Sequence, residues 1–282
     1  MRSKQSNQFI LGEPMKKFKP VEELTFVDDF MFTTIMKNKE ICKELLERLL
    51  KIKVFDIQYP DAQKTIAPFF ESKGIRLDVY VDDGQRVFDI EMQTYIPEAI
   101  GKRMRYYQSI IDMDTLKKGS VYTELKETYI LFICTKDPFE KGLPVYTFKS
   151  RCLENVNLAN DDKSTKVIYN VTDYEREKDP QIKAFLQYLC NRTSTDEFTD
   201  KIDKQVELMK VSEKFKGEYM FVKLHEWEMQ ERAKKEGIEQ AREETAKKLI
   251  QNNIDLQIIA DSTQLPLQRI QELQKEINSN IL

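Results

Sequence analysis

The chain has 282 residues, of which 40% are apolar and 33% charged, with a net charge of −3 and only eight glycines. That length supports one substantial core with an appendage, and the balance is that of a soluble, helix-rich protein. The net charge excludes a global basic field, so any nucleic-acid partner would be held by local patches.

Residues 1–20 are polar, carry Lys16-Lys17 and Lys19-Pro20, and read as a loosely ordered N-terminus. They lack the apolar core of a signal peptide, and no run approaches membrane-spanning length, so a cytoplasmic location without membrane attachment is expected. Residues 28–51 read as one helix, with Ile41, Leu45, Leu46 and Leu49 on a single stripe. Residues 53–59 read as a first strand.

The next stretch, Arg76 to Gln93, carries the most information. It reads as a β-hairpin. On the first arm Leu77, Val79 and Val81 share one face, and Arg76, Asp78 and Tyr80 the other. On the second arm Phe88, Ile90 and Met92 share a face, and Asp89, Glu91 and Gln93 the other. Asp83-Gly84 is a hairpin turn signal. A two-residue turn there sets Val81 opposite Arg86 and Asp78 opposite Asp89, with Glu91 one diagonal step of roughly 7–8 Å away. Carboxylates opposite one another repel, and a cation between them removes that cost and makes a divalent-metal site. The other reading of such a face is solvated surface.

Residues 97–117 read as a second helix, with Pro97 near its first turn and Ile100, Met104, Tyr107 and Ile111 at helical spacing. The apolar run 128–135 suits a strand buried on both faces. Residues 166–171 read as a further strand, and from Asp179 onward the chain reads as helical. The order α-β-β-β-α-β emerges. Cys42, Cys134, Cys152 and Cys190 are widely spaced with no CxxC, which reads as buried reduced thiols rather than zinc or redox chemistry. His225 lies in a charged helix with no partner in view, so a Ser/His/Asp or Cys/His nucleophile is not supported. No Gly-rich phosphate loop is present.

Residues 216–250 form a mixed-charge connecting helix, with Glu228/Arg232 and Glu231/Lys235 at helical spacing. Residues 251–282 read as two short amphipathic helices in a helix-turn-helix-like pair. Their apolar set is Ile254, Ile258, Leu265, Leu267, Ile270 and Leu273. Arg269, Lys275, Gln268 and Gln271 are what the second helix offers a DNA groove. A protein-interaction hairpin, including a homodimer through these helices, is an equal reading.

Asp78 followed by Glu91-Met92-Gln93 resembles the D…(D/E)xK signature of the PD-(D/E)XK nucleases, with Gln93 in the lysine slot. The chain is specifically similar to the PD-(D/E)XK family transposases, or recombination-promoting nucleases. Phe26-Val27-Asp28-Asp29-Phe30 matches the opening element, Arg103-Met104-Arg105-Tyr106-Tyr107 the "RxxYY" helix, and Gly119-Ser120-Val121-Tyr122 precedes the apolar strand. The resemblance covers about residues 20–215. The proline that usually precedes the first catalytic Asp is absent.

The resemblance implies a PD-(D/E)XK restriction-endonuclease-like α/β core over residues 21–215, a mixed sheet flanked by helices, followed by a helical C-terminal extension. It implies a metal-dependent DNA endonuclease acting in recombination or transposition-like events. Asp78 and Glu91, with the Met92 carbonyl, would hold Mg²⁺ or Mn²⁺, and Gln93 would orient the water. The missing lysine charge would come from Lys102 or Arg103; for Lys102 a plain solvated residue is the competing reading. Asp28 and Asp29 fit either a helix-borne acid of the metal site or an N-cap, and Glu44 is a weaker candidate. Arg103, Arg105 and Tyr106 are the candidate DNA contacts; the alternative reading has these residues pack the helix on the sheet, Tyr107 foremost, with Arg103 paired to the acidic cluster. The rival function is a nuclease fold that binds DNA or a protein without cutting.

Overall fold

In the computed structural model of this chain, which describes residues 18–62, 65–66 and 75–279, Asn38 divides the first expected helix in two. Its side chain accepts hydrogen bonds from the N–H groups of Glu40 and Ile41, which restarts the helix on an extended residue. Helix α1 therefore runs Asp29–Met36 and α2 Lys39–Leu50. Of the expected loose N-terminus 1–20, residues 1–17, including Lys16 and Lys17, lie outside the described residues.

Strand β1 (Gln58–Ala62) begins five residues later than the stretch read from sequence. The short strands β2 (Thr65–Ile66) and β3 (Ile75–Arg76) pair with each other. Then come β4 (Val79–Asp82), β5 (Arg86–Gln93), α3 (Ile100–Thr115), β6 (Glu127–Cys134), β7 (Val145–Phe148) and β8 (Ser164–Asn170). Pro97 lies outside α3. The helix is entered instead from Ala99, in left-handed conformation at φ 50°. The main sheet has six strands in the order β1-β4-β5-β6-β8-β7, with β5, β6 and β8 parallel and the other pairs antiparallel. This is the expected mixed sheet of an α/β fold with helices on its faces.

The hairpin register differs from the one read from sequence. Tyr80, not Asp78, faces Asp89, and Asp82 faces Val87. The Asp83 carboxylate accepts from the N–H groups of Gln85 and Arg86 and from the Arg86 guanidinium. The Asp83 N–H also donates to the Arg86 carbonyl at 3.1 Å, so the two-residue turn is Gly84-Gln85, one residue later than Asp83-Gly84. The shift is even, so every side chain keeps its face.

That face is not solvated. Helix α3 lays Ile100, Met104, Tyr107, Ile110 and Ile111 onto it, against Val87, Ile130, Phe132 and Ile168. On the opposite face Phe88 stacks on Tyr129 at 5.3 Å, and the Tyr169 hydroxyl donates to the Leu49 carbonyl at the end of α2. Asp179 and Pro180 start helix α4 (Pro180–Asn191), and an Asp196–Thr199 capping box starts α5 (Glu197–Val211). Cys42 and Cys134 are buried as expected. Cys190 is exposed on α4, and Cys152 is half-exposed in a stretch outside the helices and strands.

The chain divides into two compact units at Lys216/Gly217. Helix α6 (Glu213–Gln251) carries that boundary; α7 (Leu256–Thr263) and α8 (Leu267–Ser279) follow it. In the second unit Ala246, Ile250, Ile259, Ala260, Leu265, Ile270 and Leu273 form a small core. Ile254, Ile258 and Leu267, read from sequence as part of that set, are exposed. Asp255 caps α7 through the Gln257 and Ile258 N–H groups, and this start turns Ile259 and Ala260 inward instead. Arg269 pairs with Glu243, Glu272 and Glu276. Among the described residues no helix is long and apolar enough to cross a membrane.

Candidate active site

Asp78 lies in the bend between β3 and β4, one residue before the ladder begins. Pairing of Val79 with Ile90 brings Glu91 across from it. The Asp78 N–H donates to Glu91 Oε1 at 2.9 Å, and the Met92 N–H donates to Asp78 Oδ2 at 3.1 Å. Each carboxylate thus takes a backbone donor of the opposite arm, so the two acids fix the strands that carry them.

The acidic face is buried to a degree that alternation alone does not reveal. Asp78 is 9% exposed, Glu91 1% and Asp89 0%. Burial, then the charge of Asp29, lifts the Asp78 carboxyl to about 6. Burial, then Asp78, lifts Glu91 to about 8, against the pull of the Asp78 N–H and Arg103. Asp89 is pushed well above the carboxylate range by burial and by the charges of Glu91 and Asp78. Both Asp89 oxygens are enclosed and accept no hydrogen bond from a described residue. A proton on Asp89 or Glu91 would let these neighbours bond to one another.

One cation already reaches this cluster. Arg103 of α3 places NH2 3.5 Å from Glu91 Oε2 and donates from NH1 to Gln93 Oε1 at 3.3 Å. Tyr107, one turn on, accepts from Arg103 Nε at 3.1 Å and NH2 at 2.7 Å. The spacing of these residues on the helix makes this pairing possible. The guanidinium also lies over the Tyr107 and Phe132 rings at 5.2 and 5.7 Å. Gln93 closes the set by donating from Nε2 to Glu91 Oε2 at 3.2 Å. A further hydrogen bond joins Arg103 to Tyr95, a residue that sequence reading did not single out because it falls in a loop with no periodicity.

Asp78 and Arg103 open onto a cleft of about 1100 Å³, whose rim includes Arg76, Lys102, Arg105 and Tyr106. Lys102, Arg105 and Tyr106 are exposed there. Asp29 sits close enough for its charge to raise both Asp78 and Glu91, and Arg76 stands 3.6 Å from it. Its neighbour Asp28 holds the N-cap position, yet its carboxylate binds Lys19 and the N–H and hydroxyl of Thr25 instead of capping α1. Glu44 pairs with Arg48 and Lys201, and His225 is exposed on α6.

The donor set fits a hard cation. Carboxylates whose proton affinity is raised by burial and by one another's charge are relieved by positive charge placed among them, and oxygen donors suit Mg²⁺ or Mn²⁺. Among the described residues no group of three or more Asp, Glu, His or Cys side chains is arranged to hold a metal ion. Such an ion would therefore rest on Asp78 and Glu91, with other oxygens completing its shell.

A family model described as PD-(D/E)XK nuclease family transposase matches residues 26–175, more than half of the chain and every residue of this site. No match was found among curated proteins or among solved structures.

Proposed function

We propose that this chain, which belongs to the PD-(D/E)XK nuclease family transposases, is a divalent-metal-dependent DNA endonuclease acting in recombination or transposition-like events. Nuclease-type function and a DNA substrate follow from the family, and nucleases of this superfamily typically use divalent metals. The observation that carries the finer reading is the buried Asp78/Glu91 pair at a cleft with Arg103 beside it.

Hydrolysis forms a bond from a water oxygen to phosphorus and breaks one phosphoester bond; the water loses a proton and the leaving oxygen gains one. A bound divalent ion makes water nucleophilic near neutral pH and offsets charge on the phosphoryl oxygens. Asp78 and Glu91 would hold that ion, with the Met92 carbonyl as a further oxygen. Gln93 has no charge and is no base near neutral pH, so it orients rather than deprotonates. Arg105 and Tyr106 would hold the DNA backbone and bases at the rim.

The rival reading is a binding module that no longer cuts. It is favoured by Gln93 in the lysine slot and by the net charge of −3. Cleavage of supercoiled plasmid with Mg²⁺ or Mn²⁺ separates the two: nicked or linear product is expected, and intact plasmid under retained DNA binding supports the rival.

Arg105→Ala is expected to weaken duplex binding and to lower the slope of log affinity against log salt by about 1. An unchanged slope would remove Arg105 from the phosphate contacts. The tail has a separate role in this reading. A chain ending near Leu249 lacks none of the acidic site and is expected to fold and cleave, with altered oligomeric state or site choice. Light scattering after size exclusion, run beside a cleavage assay, tests it. An insoluble product would place the tail in the fold, and unchanged mass and cleavage pattern would leave it without a role.

A further inference from the structure

Gln93 touches both an acid and a cation. Its amide nitrogen donates to Glu91 Oε2, and its amide oxygen accepts from Arg103 NH1. Gln93 is 4% exposed and Tyr107 6%, so the groups that hold the guanidinium are largely shielded from solvent, and Arg103 and Tyr107 both line the cleft. A lysine at position 93 could donate to Glu91 in the same way. It has no acceptor, however, and would set a second positive charge against Arg103.

We propose that Arg103 is the phosphate-contacting catalytic residue of this site and that Gln93 is its positioning residue. The positive charge that the superfamily places on the strand is moved here to helix α3, and the glutamine is what lets an arginine sit there. This rests on the nuclease reading. The planar fork of Arg103 is held by Tyr107 on one edge and Gln93 on another. Its alignment is therefore set before a phosphate arrives, which is how a charge contributes most in a closed site. Lys102, exposed on the same helix, lines the cleft without that bracing. Because Arg103 NH2 also stands 3.5 Å from Glu91 Oε2, the guanidinium competes with a divalent ion for that oxygen.

The test is a set of variants measured for single-turnover plasmid cleavage with Mg²⁺ and, independently, for Mn²⁺ affinity by the rise in melting temperature. Arg103→Ala is expected to slow cleavage by about 100- to 1000-fold, in the range of a lost preorganised donor, while Arg103→Lys regains part of the rate. Gln93→Ala is expected to lose about 10- to 100-fold, below the usual range for a full acid–base residue. Gln93→Lys, which restores the superfamily residue, is expected to slow cleavage rather than speed it. The double variant Gln93→Lys/Arg103→Ala is expected to be at least about tenfold faster than Arg103→Ala, a coupling that independent sites do not show. In the metal titration Arg103→Ala should bind Mn²⁺ more tightly than wild type and Gln93→Lys more weakly.

A Gln93→Lys enzyme faster than wild type, or a double variant no faster than Arg103→Ala, overturns the inference and leaves the nuclease reading standing. If wild type does not cut at all, the nuclease reading fails, and the inference, which rests on it, fails with it. Mn²⁺ affinities unchanged in both single variants overturn the inference on their own.

Discussion

Asp78→Asn and Glu91→Gln are each expected to abolish metal-dependent cleavage, lowering the rate by at least about 1000-fold, while the protein stays folded. Removing one of two carboxylates from a divalent ion forfeits several kcal/mol of charge stabilisation, and each 1.4 kcal/mol is about tenfold in rate. The amide replacements matter. Asp78 Oδ2 accepts from the Met92 N–H and Glu91 Oε1 from the Asp78 N–H. Alanine would orphan those buried donors at a cost of about 1–3 kcal/mol each, mixing lost structure with lost chemistry. Asn and Gln keep an acceptor oxygen while deleting charge and relieving repulsion. Their melting temperatures without metal should therefore equal or exceed wild type, and their stabilisation by Mn²⁺ should largely vanish. Variants that cut as fast as wild type would show that neither residue holds the ion.

The two faces of the hairpin were legible because strand side chains alternate: Asp89, Glu91 and Gln93 lie together as their spacing requires. Its register was not legible. A turn centred on Gly84-Gln85 depends on the Asp83 side chain binding the Gln85 and Arg86 N–H groups, and nothing in Asp83-Gly84 distinguishes it from a turn one residue earlier. The split at Asn38 is another local hydrogen-bond effect inside a stripe that is periodic on both sides. Burial of the acids was hidden for a different reason. Alternating polar residues normally mark a solvent face, and here α3 covers that face, a tertiary fact. Pairing of Arg103 with the acidic cluster was one of the sequence readings, and the structure places it at Glu91; its bracing by Tyr107 and its contact with Gln93 follow from the packing of α3 on β5.

The same burial predicts how stability responds to pH. Glu91 titrates near 8 and Asp78 near 6 in the folded chain, Asp89 higher than an ordinary carboxyl, and all three near 4 when unfolded. Between about pH 4 and pH 8 the folded state then holds more protons than the unfolded state. Stability therefore falls as pH rises through that window. At about 1.4 kcal/mol per pH unit per proton, shared among coupled groups, the loss from pH 5 to pH 8 is on the order of several kcal/mol. A domain of this size melts roughly 2–4 °C lower for each kcal/mol, so the metal-free protein should melt on the order of 10 °C lower at pH 8 than at pH 5. Millimolar Mg²⁺ should narrow that gap, since a bound cation replaces the protons that the cluster otherwise needs. Asp89→Asn should narrow it without metal. Its two oxygens are enclosed and accept no hydrogen bond from a described residue, so removing the charge relieves Glu91 and Asp78 while keeping the shape. The variant should melt above wild type at pH 8 and close to it at pH 5. A wild-type melting temperature that is flat across this range, or an Asn variant less stable at pH 8, would mean that these carboxyls do not share their burden of charge as their burial demands.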